Sequence, residues 1–195
     1  GVFPWWTPLE GAGLPPGALH SNGSYFPISL VTYSLFSPLI AWHLDLSFQF
    51  FTCGISSYLL FSRLSGSKTG GTVAGLAWTL GGWNAAFFLE PPLAWPLSLL
   101  PLALLGLVYI EDGKRRGILL TSFGVALACF VGHLQMTLVA ACIVLGVILL
   151  GSRRRRGFKL LAASAGVLLA APHLWQLVEL GLMSGRVAPP KSLTL

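Results

Sequence analysis

The chain predicts an all-α, polytopic membrane-embedded helical bundle, and three observations predict it. Of its 195 residues 54% are hydrophobic and 9% charged, with a mean hydropathy of +0.76. A soluble domain carries about a quarter charged residues, so these charges are too few to coat a soluble fold. Long apolar runs recur, broken by Pro, Gly and single polar residues into pieces near the ~20 residues that cross a bilayer. Finally, ten of the twelve Lys and Arg residues fall in three clusters: Arg63/Lys68, Lys114-Arg115-Arg116, and Arg153-Arg154-Arg155-Arg156 with Lys159. Basic clusters at the ends of apolar segments mark the cytoplasmic side. They act there as anchors among headgroups. The net charge of +6 therefore excludes nucleic acid as a partner, since no basic stripe is interleaved with aromatics.

The elements follow in order. Residues 1–26 hold four prolines and five glycines and no Lys or Arg, which predicts an ordered outer loop with turns. Its aromatics, Phe3, Trp5, Trp6, Tyr25 and Phe26, suit a membrane–water interface. Residues 27–44 are apolar but interrupted by Pro27 and Pro38, and are expected as a re-entrant or interfacial helix on the outer side. Residues 1–45 thus form an outer unit, 46–178 the transmembrane bundle of about six spans, and 179–195 an outer-side tail of a truncated chain. Within the bundle, 46–62 descends to Arg63. The run 70–110 is too long for one span and is divided at Glu90-Pro91-Pro92 and Trp95-Pro96 into helices near 71–89 and 97–110. The run 117–150 would reach about 50 Å as one helix, against a hydrocarbon core of about 30 Å. It is expected to divide at Gly132-His133 into 117–132 and 134–150. A last span covers 158–178. With all basic clusters inside, the hairpins place Glu10, Asp45, Glu90, His133 and Glu179 on the outer side.

Each of these groups has a bland reading and a chemical one. Polar residues at membrane depth face a cavity or a partner. Glu10 is a solvated loop acid, or a general base or cation ligand at an outer cavity. Asp45, beside His43, is an N-cap of the descending helix or a site residue. Glu90, with Asn84, Trp83 and Trp95, lies in the outer turn of the first hairpin, where an aromatic belt and a carbohydrate-facing site look alike. His133 and Gln135 satisfy backbone groups freed at their turn, or bind phosphate or hydroxyl. Glu179 and Arg186 form a surface ion pair, or Arg186 meets a phosphate near His173 and Gln176. Cys53, Cys129 and Cys142 lie in apolar runs, have no metal-ligand spacing, and are expected as small packing residues. No metal site is expected.

Several motifs resemble one family. Phe3-Pro4-Trp5-Trp6-Thr7-Pro8 through Gly13-Leu14-Pro15, then Ser21-Asn22-Gly23-Ser24-Tyr25-Phe26-Pro27, resemble the first outer loop of bacterial YfhO-type membrane proteins. Gly132-His133-Leu134-Gln135 resembles that family's G-H-P-Q turn, with Leu134 in place of Pro. Gln176 to Arg186 resembles its E-x-x-x-x-S-x-R end. The resemblance implies a GT-C-like glycosyltransferase of the bacterial cytoplasmic membrane, multi-pass, with its active face extracytoplasmic. Its implied partners are a polyprenyl-phosphate-linked sugar donor, a cell-envelope glycan or polymer acceptor, and membrane lipids. It implies no certain cofactor and leaves a divalent cation open. A catalytic Asp in that superfamily lies near the start of the first outer loop, before the segment that begins at Gly1. The catalytic role then falls to Glu10 or to that Asp. His133, Gln135, Glu179, Arg186, Glu90 and Asp45 are expected to bind substrate. The alternatives are a transporter or lipid flippase, or a non-catalytic membrane assembly subunit.

Overall fold

Proline begins the first two helices. A ring without an N–H costs nothing at a helix's first position, where that group has no partner, and its fixed φ favours the turn. Helix α1 runs Pro27–Leu35 and α2 runs Pro38–Ser65, with Phe36 and Ser37 extended between them. The residue before a proline is pushed out of the helical region, which is why the break falls at Ser37. In this computed structural model the described residues are 26–87, 90–131, 133–175 and 178. They are α-helical with no strand among them.

The division differs from the expected one. Residues 27–44 do not make one helix ahead of a second that starts near Asp45. Pro38 starts α2 instead of interrupting its predecessor, and α2 continues for 28 residues, about 42 Å at 1.5 Å per residue. It ends at Gly66, whose φ of 67° is left-handed. Helix α3 follows at Lys68–Thr79, capped by Ser67 Oγ accepting from the Gly70 N–H at 3.2 Å. The apolar run does not carry it to residue 89: it stops before Gly81, and a short α4 forms at Gly82–Ala86. Helix α5, Pro91–Ser98, leads through one break at Leu99 into α6, Leu100–Glu111. Helices α7 (Arg116–Phe130), α8 (Leu134–Leu150) and α9 (Arg156–Leu169) complete the order. The expected division near His133 is present, with His133 Nδ1 accepting from the Met136 N–H at 3.4 Å. Two stretches, Pro38–Ser65 and Leu93–Glu111, are long and apolar enough to cross a membrane. The apolar helices α7 and α8 have 15 and 17 residues, or about 23 and 26 Å.

Close helix contacts rest on glycine. A β-carbon at Gly75 would lie 3.0 Å from the Tyr58 backbone N, so α3 packs backbone to backbone on α2. Leu100, Ala103, Leu107 and Ile110 of α6 meet Ala140, Val144 and Ile148 of α8 and Ala162 of α9 in the main core. A second cluster joins Phe26, Trp95, Leu99, Leu127 and Val131 at one end. At the other end the basic turns gather. Arg63 Nε donates to Asp112 at 3.0 Å, and Lys159 pairs with Glu111.

Candidate functional site

The buried face of α2 is mixed, with Asp45, Gln49, Ser56 and Ser57 among Ala41, Leu46, Cys53 and Leu60. Ala41, Asp45, Gln49, Cys53, Ser56, Ser57 and Leu60 recur at intervals of three and four, which places them on one stripe that turns inward. Phe48, Phe51, Ile55 and Leu59 of the same helix are exposed. A helix on a soluble core would instead present charged and polar residues on its outer face.

Asp45 is 4% exposed and sits seven residues past the start of α2. It is therefore not an N-cap; the cap position belongs to Ser37. Its carboxylate joins two helices. Oδ2 accepts from Ser29 Oγ at 2.5 Å and Oδ1 from Thr32 Oγ1 at 2.7 Å, both hydroxyls being on α1. Partial burial, and secondarily the Asp45 charge, push the Tyr33 phenol above its ordinary pKa. Removing the carboxylate leaves Ser29 Oγ short of an acceptor, while Thr32 Oγ1 also lies 3.2 Å from the Ser29 carbonyl and can turn to it, a cost of about 1–2 kcal/mol. Asp45→Ala is expected to free α1, read as new protease cleavage within residues 27–36 while the remaining helices stay resistant.

One turn further along the stripe is a buried hydrogen-bonded chain. Gln49 Nε2 donates to Ser98 Oγ at 3.1 Å, and Ser98 Oγ donates to Asn84 Oδ1 at 2.8 Å. Asn84 Nδ2 donates to the Trp78 carbonyl at 3.0 Å and lies 3.7 Å from Cys53 Sγ. The amide of Asn84 thus caps a carbonyl freed where α3 stops, as a buried helix end requires. Gln49 Oε1 has no partner, although Gln49 is only 1% exposed.

The other expected site residues are spread more widely. Asp45, Glu90 and His133 share the end of the bundle opposite the basic turns. His133 is half-buried at the N-cap of α8, and Gln135 is exposed in its first turn. Glu90 occupies the cap position of α5, exposed and without a side-chain cap bond. Trp95 does not flank it at an interface. Its ring is buried against Phe26, centroids 4.5 Å apart, and Phe48. His43 is exposed, with Nδ1 2.7 Å from the Leu39 carbonyl. Glu10, Glu179 and Arg186 lie outside the described residues.

Comparison with protein-family models, curated proteins and solved structures finds no match. The site is therefore read from its own chemistry. Gln49, Ser98, Ser29 and Thr32 were missed in the sequence, although the four-residue spacing of Ala41, Asp45, Gln49 and Cys53 was visible there. Among the described residues no group of three His, Cys, Asp or Glu side chains could hold a metal ion. The thiols Cys53 and Cys129 are free and buried, and Cys142 is free and exposed.

Proposed function

We propose that this chain belongs to a multi-pass membrane glycosyltransferase of the YfhO type. It would move a sugar from a polyprenyl-phosphate carrier to a cell-envelope acceptor on the extracytoplasmic face. The observation that carries the membrane part is the outer face of α2, where Phe48, Phe51 and Ile55 are exposed while Asp45 and Gln49 are turned inward. Helix α8 is apolar on both its faces. Thr137, Ala140, Val144 and Ile148 face the core, while Leu138, Ile143, Leu145 and Leu149 are exposed. In lipid, such surfaces need no polar coat. The basic turns then lie in the cytoplasm, and Asp45, Glu90 and His133 face outward.

The chemistry rests on the motif resemblance. In the proposed single displacement, an acceptor hydroxyl attacks the anomeric carbon, a loop carboxylate takes its proton, and the carrier phosphate departs with the bonding pair. Glu10 is the carboxylate, and His133 and Arg186 stabilise the charge growing on the phosphate. Glu10→Gln, His133→Ala and Arg186→Ala are each expected to lower sugar transfer by about a hundredfold or more. The assay uses the full-length protein, membranes and a labelled polyprenyl-phosphate sugar. Wild-type rates in all three variants would sink the site.

A second reading, a transporter or lipid flippase, draws on the interrupted helices. Helix α3 stops after 12 residues and α5 and α6 break at Leu99, and broken helices at mid-depth line translocation paths. Movement of labelled lipid across vesicles without sugar transfer would favour it.

A further inference from the structure

The basic turns carry orientation signals, but two of them meet more closely than orientation requires. Gly113, in the turn between α6 and α7, has a φ of 82°, and a β-carbon there would lie 2.8 Å from Arg155 Nη2. The Arg155 guanidinium therefore lies directly on that turn. Arg155 itself has a φ of 55°, an uncommon backbone conformation for a residue with a side chain. This contact sets the turn that carries Arg153-Arg154-Arg155 beside the turn that carries Lys114-Arg115-Arg116, six cations on two adjoining turns.

The acids at this end are already engaged. Asp112 accepts from Arg63 and lies 3.9 Å from Lys114, and Glu111 pairs with the buried Lys159. Arg156 donates to the carbonyls of Leu149 and Gly151 at the end of α8, at 2.8 and 3.4 Å. Arg116 lies over the Tyr109 ring, 4.3 Å from its centroid. That leaves Arg115, Arg116, Arg153, Arg154 and Arg155 exposed and without a close ion pair to any described residue, Arg154 alone also feeling the Glu111 charge. Like charges so crowded repel unless an anion lies among them. The helices bordering the patch indicate which anion. Within a turn or two of it, Leu119, Leu150, Phe158 and Leu161 are exposed at 74, 91, 53 and 59%. A partner that fits both surfaces has a phosphate and long alkyl chains together.

We propose that the turns 113–116 and 152–156 form a binding site for an anionic glycerophospholipid of the inner leaflet. Its phosphate sits among Arg115, Arg153, Arg154 and Arg155, and its acyl chains lie along Leu119, Leu150 and Phe158. Arginine suits this role because its planar fork can take two phosphate oxygens at once. The inference rests on the membrane reading of the chain but not on the glycosyltransferase chemistry.

The test is native mass spectrometry of the full chain in detergent, titrated with phosphatidylglycerol and with phosphatidylcholine of the same acyl length. The expected result is tighter retention of phosphatidylglycerol. Each neutralised arginine should weaken it about fivefold, so Arg153→Gln/Arg154→Gln/Arg155→Gln should lose roughly a hundredfold. The corresponding triple replacement by lysine should keep most of the preference. Should the glutamine triple fail to fold, Arg115→Gln reads the same site from the other turn, with a loss of roughly fivefold expected. Equal retention of the two lipids, or an unchanged preference in the glutamine variants, overturns the proposal. So does displacement of the lipid by inorganic phosphate at similar concentration, which would make the patch a plain anion site. A chain that stays monodisperse without detergent defeats the membrane reading itself. One that needs detergent but shows no lipid preference defeats only this site.

Discussion

Gly106→Leu is expected to separate α6 from α7 and to cost about 3 kcal/mol or more. A β-carbon at Gly106 would lie 2.5 Å from the Thr121 backbone N and 2.8 Å from the Gly117 carbonyl. The contact is reciprocal. A β-carbon at Gly117 would lie 2.5 Å from the Gly106 carbonyl and 2.6 Å from the Ile110 N. Because the obstacles are backbone atoms, no side chain can rotate away, and the helices themselves must move. Helix α7 is also held to α9, where Ser122 Oγ donates to the Ala162 carbonyl at 2.8 Å and Gly166 is packed against Ser122. Displacing α7 therefore disturbs the core shared by α6, α8 and α9. The check is thermal unfolding in detergent, with Gly146→Leu as control because nothing lies within 4 Å of a β-carbon there. The control should melt near the wild type. A Gly106→Leu variant that also does so would show that the α6–α7 contact is looser than described.

Much of the architecture was legible because it follows from local rules. The freed backbone at Gly132-His133 divided a run too long for one helix, and α7 and α8 fall at Arg116–Phe130 and Leu134–Leu150, close to 117–132 and 134–150. The gathering of the basic turns follows the reading that set all three clusters on one side of the bundle. The beginning of α2 was not. Pro38 was read as an interruption, yet a proline at a first position starts a helix, and of the two readings of Asp45 the cap falls because Ser37 holds that position. The end of α3 was missed because apolar composition continues past it, while the Gly81-Gly82 pair that stops it was given no weight. Gly71 and Gly75, four apart on α3, form a small-residue face that lets backbones approach, and that signal was present in the sequence. For the site, Asp45 was found from its charge. Its hydroxyl partners were not, because nothing local pairs position 45 with 29 and 32. The same holds for Gln49 and Ser98, which are 49 residues apart in the chain and meet only through the packing of α2 on α5.

That buried chain of amides and hydroxyls gives the sharpest contrast in sign. Asn84→Leu is expected to destabilise the bundle by about 2 kcal/mol, because the Trp78 carbonyl at the end of α3 loses the Asn84 Nδ2 donor 3.0 Å away. Ser98 loses less, since its hydroxyl also lies 3.0 Å from the Ala94 carbonyl and can turn to it. Hydrogen bonds between helices in lipid average only about 0.6 kcal/mol, so the stranded carbonyl and not the lost bond makes up most of the cost. Gln49→Leu should behave in the opposite way. It removes the unpartnered Oε1 and leaves the Ser98–Asn84 bond in place, with a side chain of similar volume. Removing an unsatisfied buried acceptor is neutral to stabilising, by up to about 1 kcal/mol. Thermal unfolding of the two variants side by side separates the contributions. A Gln49→Leu variant as unstable as Asn84→Leu would mean that Oε1 has a partner essential to the fold. A stable Gln49→Leu variant with impaired sugar transfer would instead assign that oxygen to the substrate path, because the fold loses nothing when it is removed.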